Sequence, residues 1–376
     1  MWLSGWTYRK KITISGSSGA GTGYQVLLKV GESSGASGCD FHVEGHSENF
    51  PSDKNQSGDL RFTSSDGETL LPFWVEKVEG SSPNRVAYCW VKVNDNLDND
   101  VDVFCYYGNS SASNVSNVSD TFIREIDGVV GSWHFDEGSG TTAYDSSGNN
   151  NDGTINGATW VDGKFGKALS FDGVDDYVHR NTFAGTPGSY LTICAWIKTT
   201  ASMSYICSLN RSPSNSQNLF GFRVFNKKLQ FWDRSTDSGF SPSQSSSTSV
   251  SSGTWRFVCF VKSTTTGKYY IDGQFDSEVT ADVDVQYGSN DFVVGKDYEE
   301  NDDFFSGIID ELYIYNKALT ADEISDLYNN YGYTTENYPG KVLVRKYTDP
   351  EPAFSSAGSE EMESKEQNAI FFGTNF

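Results

Sequence analysis

The stretch Lys268-Tyr-Tyr-Ile-Asp-Gly-Gln-Phe275 decides the fold of the larger part of the chain. Aromatic and β-branched residues, which favour strands, stand on both sides of an Asp-Gly pair. Asp272 and Gly273 are residue types that a two-residue type I′ turn favours, because both of its central positions take positive φ angles. The stretch therefore predicts a β-hairpin.

The same alternation of apolar and polar residues recurs along the chain, bounded by Gly, Ser, Asn or Asp. It is typical of strands that bury one face. The clearest examples are Lys11–Ile14, Tyr24–Val30, Arg85–Val93, Val101–Tyr107, Leu191–Lys198, Leu229–Trp232 and Trp255–Val261. One helix is predicted at Leu319–Tyr328, where Thr320 and Glu323 form a capping box and Leu319 and Ile324 form a hydrophobic staple. The sequence therefore predicts an all-β protein with one short C-terminal helix.

Shifts in composition divide the chain into four parts. Predicted strands end near residue 108, and a polar run rich in Asn and Ser follows them. The predicted parts are an N-terminal β-sandwich (1–108), a polar linker (109–126), a second all-β unit (127–330), and a C-terminal strand with an acidic tail (331–376).

The charge balance argues against several classes of partner and site. The 376 residues include 50 acids and 28 bases, for a formal net charge of −22. A protein with this large negative charge repels phosphate backbones, so nucleic acid is not expected as a partner. No apolar run approaches the roughly 18 residues of a membrane span. The six Cys include no Cys-x-x-Cys pair, and four His are few for a His-built metal site.

The second unit resembles a LamG-like, concanavalin A-like jelly-roll module. Its most telling stretch is Gly166-Lys-Ala-Leu-Ser-Phe-Asp-Gly-Val-Asp-Asp-Tyr-Val178. The other matching stretches, in the order and spacing of that family, are Gly131–Gly140, Tyr144–Asn149, Asp152–Thr154 and Gly307–Tyr315, the last followed by Asn-Lys-Ala-Leu319. The resemblance implies a jelly roll.

The first unit resembles an uncharacterised β-sandwich domain. That domain often precedes LamG modules in archaeal and bacterial surface proteins and in viral structural proteins. The matching stretches are Trp6–Ile14, Asp59–Thr63, Asp66–Gly67, Leu70–Glu76 and Tyr106–Asn109. The resemblance implies a fold, but the family brings no known chemistry with it.

The resemblance also implies a calcium site, because LamG-like modules often hold one Ca²⁺ between the loop after the first strand and the last strand. Its ligands would come from Asp136 or the carbonyl groups of residues 137–140, from Asp145 and from Asp310. Carboxylate and carbonyl oxygens are the ligands that Ca²⁺ prefers. The alternative is that Asp145 and Asp310 accept hydrogen bonds from backbone N–H groups in turns, which Asp commonly does without a metal.

A carboxylate pair for glycoside hydrolysis is partly present in Glu125-Ile-Asp127-Gly-Val-Val130. Jelly-roll enzymes of the laminarinase type carry Glu-x-Asp-x-x-Glu on one strand, since two carboxyl groups must flank the cleaved bond. Val130 stands where the second Glu is required. The chain also has no Gly-x-Ser-x-Gly, P-loop or Gly-x-Gly-x-x-Gly motif. We therefore expect a protein that is not an enzyme.

A glycan-binding face is predicted at Leu229-Gln-Phe-Trp-Asp-Arg234, with Arg223 nearby in sequence. Alternation places Gln230, Trp232 and Arg234 on one face of the strand and the Leu and Phe of the stretch on the other. Sugars are recognised by aromatic faces beside planar polar groups. The alternative is that Trp232 packs under a loop or against the neighbouring domain.

These observations predict a non-enzymatic structural protein of a virion surface or another extracellular surface, such as a capsid decoration, a spike or a tail fibre. Its expected partners are host or surface glycans, other structural proteins of a particle, and further copies of itself. The start Met1-Trp-Leu-Ser-Gly-Trp6 lacks the apolar stretch of a secretory signal, which favours the virion. The alternative is a secreted glycan-binding adhesin, or an accessory module of a polysaccharide-degrading enzyme.

Two local expectations concern a pair of cysteines and the acidic tail. If residues 94–100 form the turn of a hairpin, Cys89 and Cys105 lie opposite each other with their side chains in the core. Residues 349–366 carry six acids and one Lys, a composition that should not fold alone. With the apolar cluster formed by Ile370–Phe372 and Phe376, they are expected to cross to another chain. The alternative is that they fold back onto their own β-sandwich.

Overall fold

Most of the alternating stretches form strands in the computed structural model, which describes residues 1–185, 188–210, 218–233, 245–280, 290–297 and 303–364. The chain divides into two units. The first comprises residues 1–123 together with the chain from Lys346 onward, and the second comprises residues 124–345. The C-terminal part of the chain is therefore shared between the units, whereas the sequence placed residues 331–376 in a part of their own.

The first unit opens with a series of strands and a one-turn helix. These elements are β1 (Tyr8–Ser15), β2 (Tyr24–Gly31), β3 (Phe41–His42), β4 (Arg61–Thr63), β5 (Phe73–Glu79), β6 (Val86–Val93), β7 (Val101–Tyr107) and α1 (Val118–Thr121).

The second unit follows without interruption, and the chain then returns to the first unit in one more strand. The elements of the second unit are β8 (Arg124–Asp127), β9 (Val129–Trp133), β10 (Thr142–Ala143), β11 (Gly153–Asn156), β12 (Thr159–Asp162), β13 (Lys167–Asp172), β14 (Tyr177–Phe183), β15 (Tyr190–Lys198), β16 (Met203–Asn210), β17 (Asn218–Phe225), β18 (Lys228–Asp233), β19 (Ser245–Ser249), β20 (Arg256–Ser263), β21 (Thr266–Ile271), β22 (Gln274–Thr280), β23 (Asn290–Val294), β24 (Ser306–Tyr315), α2 (Ala321–Asn329), β25 (Tyr331–Tyr333) and β26 (Lys341–Arg345). The returning strand is β27 (Ala353–Met362).

Two four-stranded sheets make up the described part of the first unit. One has the strand order β27–β1–β7–β4 and the other has the order β3–β2–β6–β5. Ile12 and Val103 from the first sheet and Leu28 and Val91 from the second are buried in one shared core. The unit is therefore a β-sandwich, as the sequence predicted.

Of the residues predicted as a linker, 109–123 belong to the first unit, and 124–126 lie in β8 of the second. The side-chain oxygen of Asn114 accepts a hydrogen bond from the backbone N–H of Ser57 at 2.9 Å. The hydroxyl of Ser116 accepts one from the backbone N–H of Val75 at 3.0 Å. Asn117 then caps α1. Asn and Ser in this segment therefore act as hydrogen-bond partners for the sandwich.

The acidic tail folds back onto its own sandwich as far as β27. β27 pairs with β1 in antiparallel register, with Met362 opposite Tyr8. Arg9 Nε lies 2.7 Å from a Glu361 oxygen, and His46 Nδ1 lies 2.9 Å from Glu360. The expectation that this segment needs a second chain is therefore wrong for residues 353–362, because β1 offers it an unpaired edge, and Arg9 of β1 and His46 after β3 face its acids. Residues 365–376, with the apolar cluster, lie outside the described residues.

Removing β27 is expected to destabilise the first unit. A chain that ends after Pro352 leaves the edge of β1 unpaired and removes the carboxylate partners of Arg9 and His46. Its thermal midpoint should fall by about 3–5 °C for each kcal/mol of lost stability in a unit of this size, and the free edge should promote aggregation. The matched control ends after Ser364 and keeps all of β27. Equal midpoints for the two truncations, measured by calorimetry, would contradict the pairing.

Cys89 and Cys105 lie on strands of opposite sheets, so the predicted hairpin register is wrong. β6 pairs with β2 and β5, whereas β7 pairs with β1 and β4. The connection at residues 94–100 crosses from one sheet to the other, with Leu97 fully buried in the core. The predicted core face is confirmed, because both Cys side chains are fully buried and free. Burial raises the pKa of both thiols.

The second unit contains two large sheets, each of eight strands in the described residues. One has the order β10–β11–β14–β23–β16–β17–β18–β19. We call it the open sheet. The other has the order β12–β13–β24–β15–β20–β21–β22, with β9 also paired to β24. We call it the covered sheet. Side chains such as Phe231 from the open sheet and Phe260 from the covered sheet stack in the shared core with ring centroids 4.0 Å apart.

The outer face of the covered sheet packs under further elements of the same unit. β25, β26 and β8 form a three-stranded sheet. Side chains from this small sheet and from α2, among them Val342, Ile324 and Leu327, form a second core with Trp196 and Tyr313 of the covered sheet. An apolar layer therefore occupies this outer face.

The predicted helix α2 and the predicted hairpin with its turn at Asp272-Gly273 are both confirmed. Thr320 caps the helix in a full capping box with Glu323. Asp272 and Gly273 take φ angles of 51° and 74° between β21 and β22, as a type I′ turn requires. In the part of the chain that the structure describes, no helix has the length and apolarity needed to cross a membrane.

Candidate functional site

The outer face of the open sheet carries most of the side chains predicted to bind glycans. Leu229 and Phe231 of β18 are buried in the core between the sheets. Alternation sends Gln230 and Trp232 to the opposite face, as predicted. β17 pairs with β18 so that Arg223 lies opposite Gln230. Arg234 lies outside the described residues.

A hydrogen-bonded network joins these side chains to a residue that the sequence analysis did not single out, Tyr205 of β16. Arg223 Nη1 donates to the Tyr205 hydroxyl at 2.9 Å, and Trp232 Nε1 donates to the same oxygen at 3.2 Å. Arg223 Nε donates to Gln230 Oε1 at 2.8 Å. The Tyr205 hydroxyl in turn donates to Asp297. These five side chains, from three neighbouring strands and the segment after β23, are called the tyrosine network below.

The network forms a buried floor with one partly exposed group. Tyr205 is 2% exposed, Gln230 3% and Trp232 4%, whereas Arg223 is partly exposed. Burial raises the pKa of the Tyr205 hydroxyl, and the charge of Asp297 raises it further. Trp232 is therefore buried beside Tyr205 and does not offer a free ring face in this structure.

Close packing of the network depends on a glycine. Gly221 lies opposite Trp232 on β17. A Cβ atom at this position would come within 2.6 Å of ring atoms of both Trp232 and Tyr205. The absence of a side chain at Gly221 therefore allows the two rings to meet above the sheet.

The face continues across neighbouring strands in register. His179 of β14 lies opposite Val293 of β23, which lies opposite Ser208 of β16. Ser208 lies opposite Gly221, and Gly221 lies opposite Trp232. At about 4.8 Å between strands, this row spans about 19 Å from β14 to β18. The row and the tyrosine network form a single strip on the outer side of the sheet, which we call the open face.

A depression of about 320 Å³ lies at the β14 end of the open face, lined by Tyr177, His179, Val293 and Lys296. Lys296 Nζ lies 4.6 Å from the centre of the Tyr177 ring. His179 Nε2 lies 3.5 Å from a carboxylate oxygen of Asp291. Burial lowers the pKa of Lys296, although the charge of Asp297 acts in the opposite direction. The depression thus combines an aromatic ring with hydrogen-bonding groups that remain partly exposed.

Of the three predicted calcium ligands, Asp145 is fully used by hydrogen bonds. One of its oxygens accepts from the backbone N–H groups of Ser132 and Ser147 at 2.9 and 3.0 Å. The other accepts from the Ser147 hydroxyl and the backbone N–H of Asn151, both at 2.8 Å. Its arrangement is that of the alternative interpretation, a carboxylate that holds a turn together.

Asp310 is the predicted ligand whose surroundings fit a cation. One oxygen accepts from the backbone N–H groups of Lys164 and Phe165 at 2.7 and 3.1 Å. The other oxygen is buried and has no hydrogen-bond partner among the described residues. Burial raises the pKa of Asp310, and the charge of Glu311 raises it further. Asp136, exposed and bound to the backbone N–H of Lys167 at 2.7 Å, adds to the same effect. A buried carboxylate oxygen of this kind is a ligand type that a hard cation prefers.

Next to Asp310 lies a buried polar cluster that the sequence analysis did not single out. His134 Nδ1 lies 3.0 Å from both oxygens of Glu311, and its Nε2 lies 2.7 Å from the Thr334 hydroxyl. The Tyr313 hydroxyl donates to Glu311 as well. Burial lowers the pKa of His134 to about 4 and raises the pKa of Glu311. Desolvation therefore favours the neutral forms, and the cluster ties β9 to β24 and the segment after β25.

The incomplete glycosidase motif has a structural role. Glu125 and Asp127 lie on β8, in the small three-stranded sheet. Lys341 of β26 forms ion pairs with both, and the Tyr338 hydroxyl donates to Glu125 at 3.2 Å. These contacts account for the two acids as partners within the sheet.

Comparison with protein families agrees with this architecture. Residues 172–325 match the family model of the concanavalin A-like lectin/glucanases superfamily. The second unit is a LamG-like jelly roll. Residues 56–160 match the model of a domain of unknown function (DUF2341), which precedes the jelly roll. Both resemblances drawn from the sequence are confirmed. No curated protein sequence matches the chain.

Solved structures similar to this chain include sugar-binding and toxin domains. Domain 4 of an extracellular GH43 arabinanase from Geobacillus stearothermophilus, in complex with arabinotriose, is 22% identical over 54% of this chain and 98% of that chain, with a TM-score of 0.44. The binding domain of botulinum neurotoxin serotype D is 16% identical over 57% and 55%, with a TM-score of 0.42. The binding domain of Paraclostridial Mosquitocidal Protein 1 is 16% identical over 54% and 52%, with a TM-score of 0.43. The match spans about half of each toxin chain.

Proposed function

We propose that the LamG-like jelly roll binds glycans on its open face and does not alter them chemically. The observation that carries the proposal is the tyrosine network beside the depression at Tyr177. Sugars combine apolar ring faces with many hydroxyl groups, so they bind where aromatic rings stand beside planar hydrogen-bonding side chains. The superfamily that matches residues 172–325 is itself named for lectins and glucanases.

The accessible groups of the open face are distributed as such a ligand requires. Tyr177, His179, Lys296 and Arg223 are partly exposed, and a buried floor holds the tyrosine network in place. A rigid floor lowers the entropic cost of ordering side chains on binding. The outer face of the covered sheet lies under α2 and the three-stranded sheet, so the open face is the better candidate of the two.

Binding is favoured over hydrolysis because two carboxylates of the open face that the structure describes, Asp291 and Asp297, are engaged. Asp291 accepts from the backbone N–H of Thr182 at 3.3 Å and faces His179. Asp297 accepts from the Tyr205 hydroxyl. A glycosidase needs one carboxyl group free to donate a proton and a second free to act on the sugar or on water.

The location expected from the sequence belongs to the same proposal. The glycan-binding unit would be displayed on a virion or on another extracellular surface, with the first unit as the part that contacts other structural proteins or further copies of the chain. The alternative setting is a secreted adhesin or an accessory module of a polysaccharide-degrading enzyme. Mass spectrometry of purified particles from the source organism distinguishes the two, since only the virion setting predicts this chain in stoichiometric amounts.

Calcium is proposed as a structural ion at Asp310 and Asp136. Thermal melts of the full chain with Ca²⁺ and with EDTA should differ, because a ligand at a hundredfold excess over its dissociation constant stabilises by about 2.7 kcal/mol. Asp310→Asn should abolish this difference without lowering the midpoint in EDTA, since it removes a buried charge.

Asp145→Asn is the matched comparison for the calcium proposal. It should lower the midpoint with or without calcium, because an amide group cannot accept all four hydrogen bonds, and each unpaired buried donor costs about 1–3 kcal/mol. If the wild-type chain melts at the same temperature in Ca²⁺ and EDTA, the calcium proposal fails.

Glycan binding is tested by screening the full chain on a glycan array and then measuring the best ligand by calorimetry. Tyr177→Ala should weaken binding about tenfold, a change of about 1.4 kcal/mol, because it removes the exposed ring of the depression. The matched control is Tyr190→Ala, which removes a half-exposed tyrosine from the covered sheet. Equal affinities for both variants, or an array without any bound glycan, would contradict the proposal.

A further inference from the structure

The guanidinium of Arg223 has only neutral hydrogen-bond partners in the described part of the chain. Its Nε donates to the Gln230 side-chain oxygen and its Nη1 donates to the Tyr205 hydroxyl. It also lies 4.9 Å from the centre of the Phe225 ring. Nη2 has no hydrogen bond there. Within the described residues, one edge of this partly exposed cation therefore has no hydrogen-bond partner on the open face.

Other cations lie on the same part of the sheet. Lys227 and Lys228 form part of the turn that joins β17 to β18, and neither forms an ion pair among the described residues. Asp297, the acid of the tyrosine network, accepts from the same Tyr205 hydroxyl to which the guanidinium donates, and it forms no ion pair with Arg223 among the described residues. A local group of unpaired cations is unexpected in a chain of net charge −22, where acids outnumber bases.

We propose that Arg223 binds the carboxylate of an acidic sugar, so that the ligand of the open face is an anionic glycan. The inference rests on the proposed glycan binding and adds the class of ligand. A guanidinium fixed at two nitrogens presents its remaining N–H groups as a rigid donor set. Such a set matches the two oxygens of a carboxylate better than a single sugar hydroxyl. Lys228 supplies a second positive charge next to Phe225, the neighbour of Arg223 along the sheet.

Gln230 and Tyr205 act in this arrangement as positioning residues. Each holds one guanidinium nitrogen, and each is itself buried and hydrogen-bonded. Without them the long Arg223 side chain would sample many rotamers, and ordering it on binding would cost conformational entropy. Gln230 and Tyr205 therefore hold the Arg223 guanidinium in place before the ligand binds.

The test compares each acidic polysaccharide with its own methyl ester, which keeps the sugar and removes the charge. The probes are polygalacturonate, alginate and polysialic acid, measured against the full chain by calorimetry at low and high salt. At least one acidic form should bind about tenfold or more tightly than its ester, and the difference should shrink as salt screens the charge. Esters that bind as tightly as the acids would overturn the inference.

Variants locate the effect at Arg223. Arg223→Gln should lower the affinity for the acidic form by about tenfold to a hundredfold and leave that for the ester unchanged. Arg223→Lys should retain part of the affinity, since it keeps the positive charge but loses the paired N–H donors of the planar guanidinium. The control Lys198→Gln removes an exposed cation from the covered sheet and should have no effect.

The outcomes separate the two proposals. If neutral glycans bind, Tyr177→Ala weakens them, and Arg223→Gln affects acids and esters alike, the glycan-binding proposal stands and the acidic-sugar inference falls. If neither acidic nor neutral glycans bind, the glycan-binding proposal falls, and the inference falls with it. Unchanged thermal midpoints of the Arg223 variants show that the fold is intact in each comparison.

Discussion

The apolar core between the two large sheets of the second unit is the constraint on which the candidate site depends. A strand has two faces, and burial of residues such as Phe222 and Phe231 in this core decides which face points inward. Each large apolar side chain contributes roughly 1.5–3 kcal/mol when it is fully buried. A slip of one residue would expose these rings, so Arg223 and Gln230 are forced to the outer face.

The residue types on the outer face of each sheet then depend on whether other elements of the unit pack against that face. The covered sheet meets α2 and a small sheet, and its outer residues are accordingly apolar and aromatic. The open sheet carries hydroxyl, amide, guanidinium and carboxylate groups at the corresponding positions. Because buried polar groups must be paired, the Tyr205 hydroxyl accepts from Arg223 and Trp232 and donates to Asp297. The hydrogen bonds that pair the buried polar groups of the tyrosine network also hold the Arg223 side chain in one orientation.

Local sequence rules predicted the features that are local in the chain. The Asp272-Gly273 hairpin, the capping box of α2 and the two faces of β18 all follow from neighbouring residues. The pairing of Arg223 with Gln230 could also have been predicted from the sequence, since the short turn at Asn226 and Lys227 sets the register of β17 and β18. Whether the calcium ligands inferred from resemblance are free to bind an ion depends on their hydrogen-bond partners, which a sequence motif does not specify. Asp145 uses both of its oxygens in hydrogen bonds, whereas one buried oxygen of Asp310 has no partner in the part of the chain that the structure describes.

Features that depend on distant parts of the chain were not predictable in this way. Tyr205 meets Trp232 because β16, β17 and β18 are neighbours, which no short pattern reveals. β27 is rich in Ser, Ala and Glu and has a weak preference for strands, yet it pairs because β1 offers an open edge. The connection at residues 94–100 has the length of a hairpin loop, but the burial of Leu97 draws it across the sandwich instead.

The central claim is that the ligand lies on the open face with its charge against Arg223. A crystal structure of the full chain with an acidic oligosaccharide tests it most directly. The account predicts electron density for the sugar along the strip from Tyr177 to Arg223, with a carboxylate within hydrogen-bond distance of the guanidinium. Density for the sugar beside Asp136 and Asp310, or on the covered sheet, would contradict it.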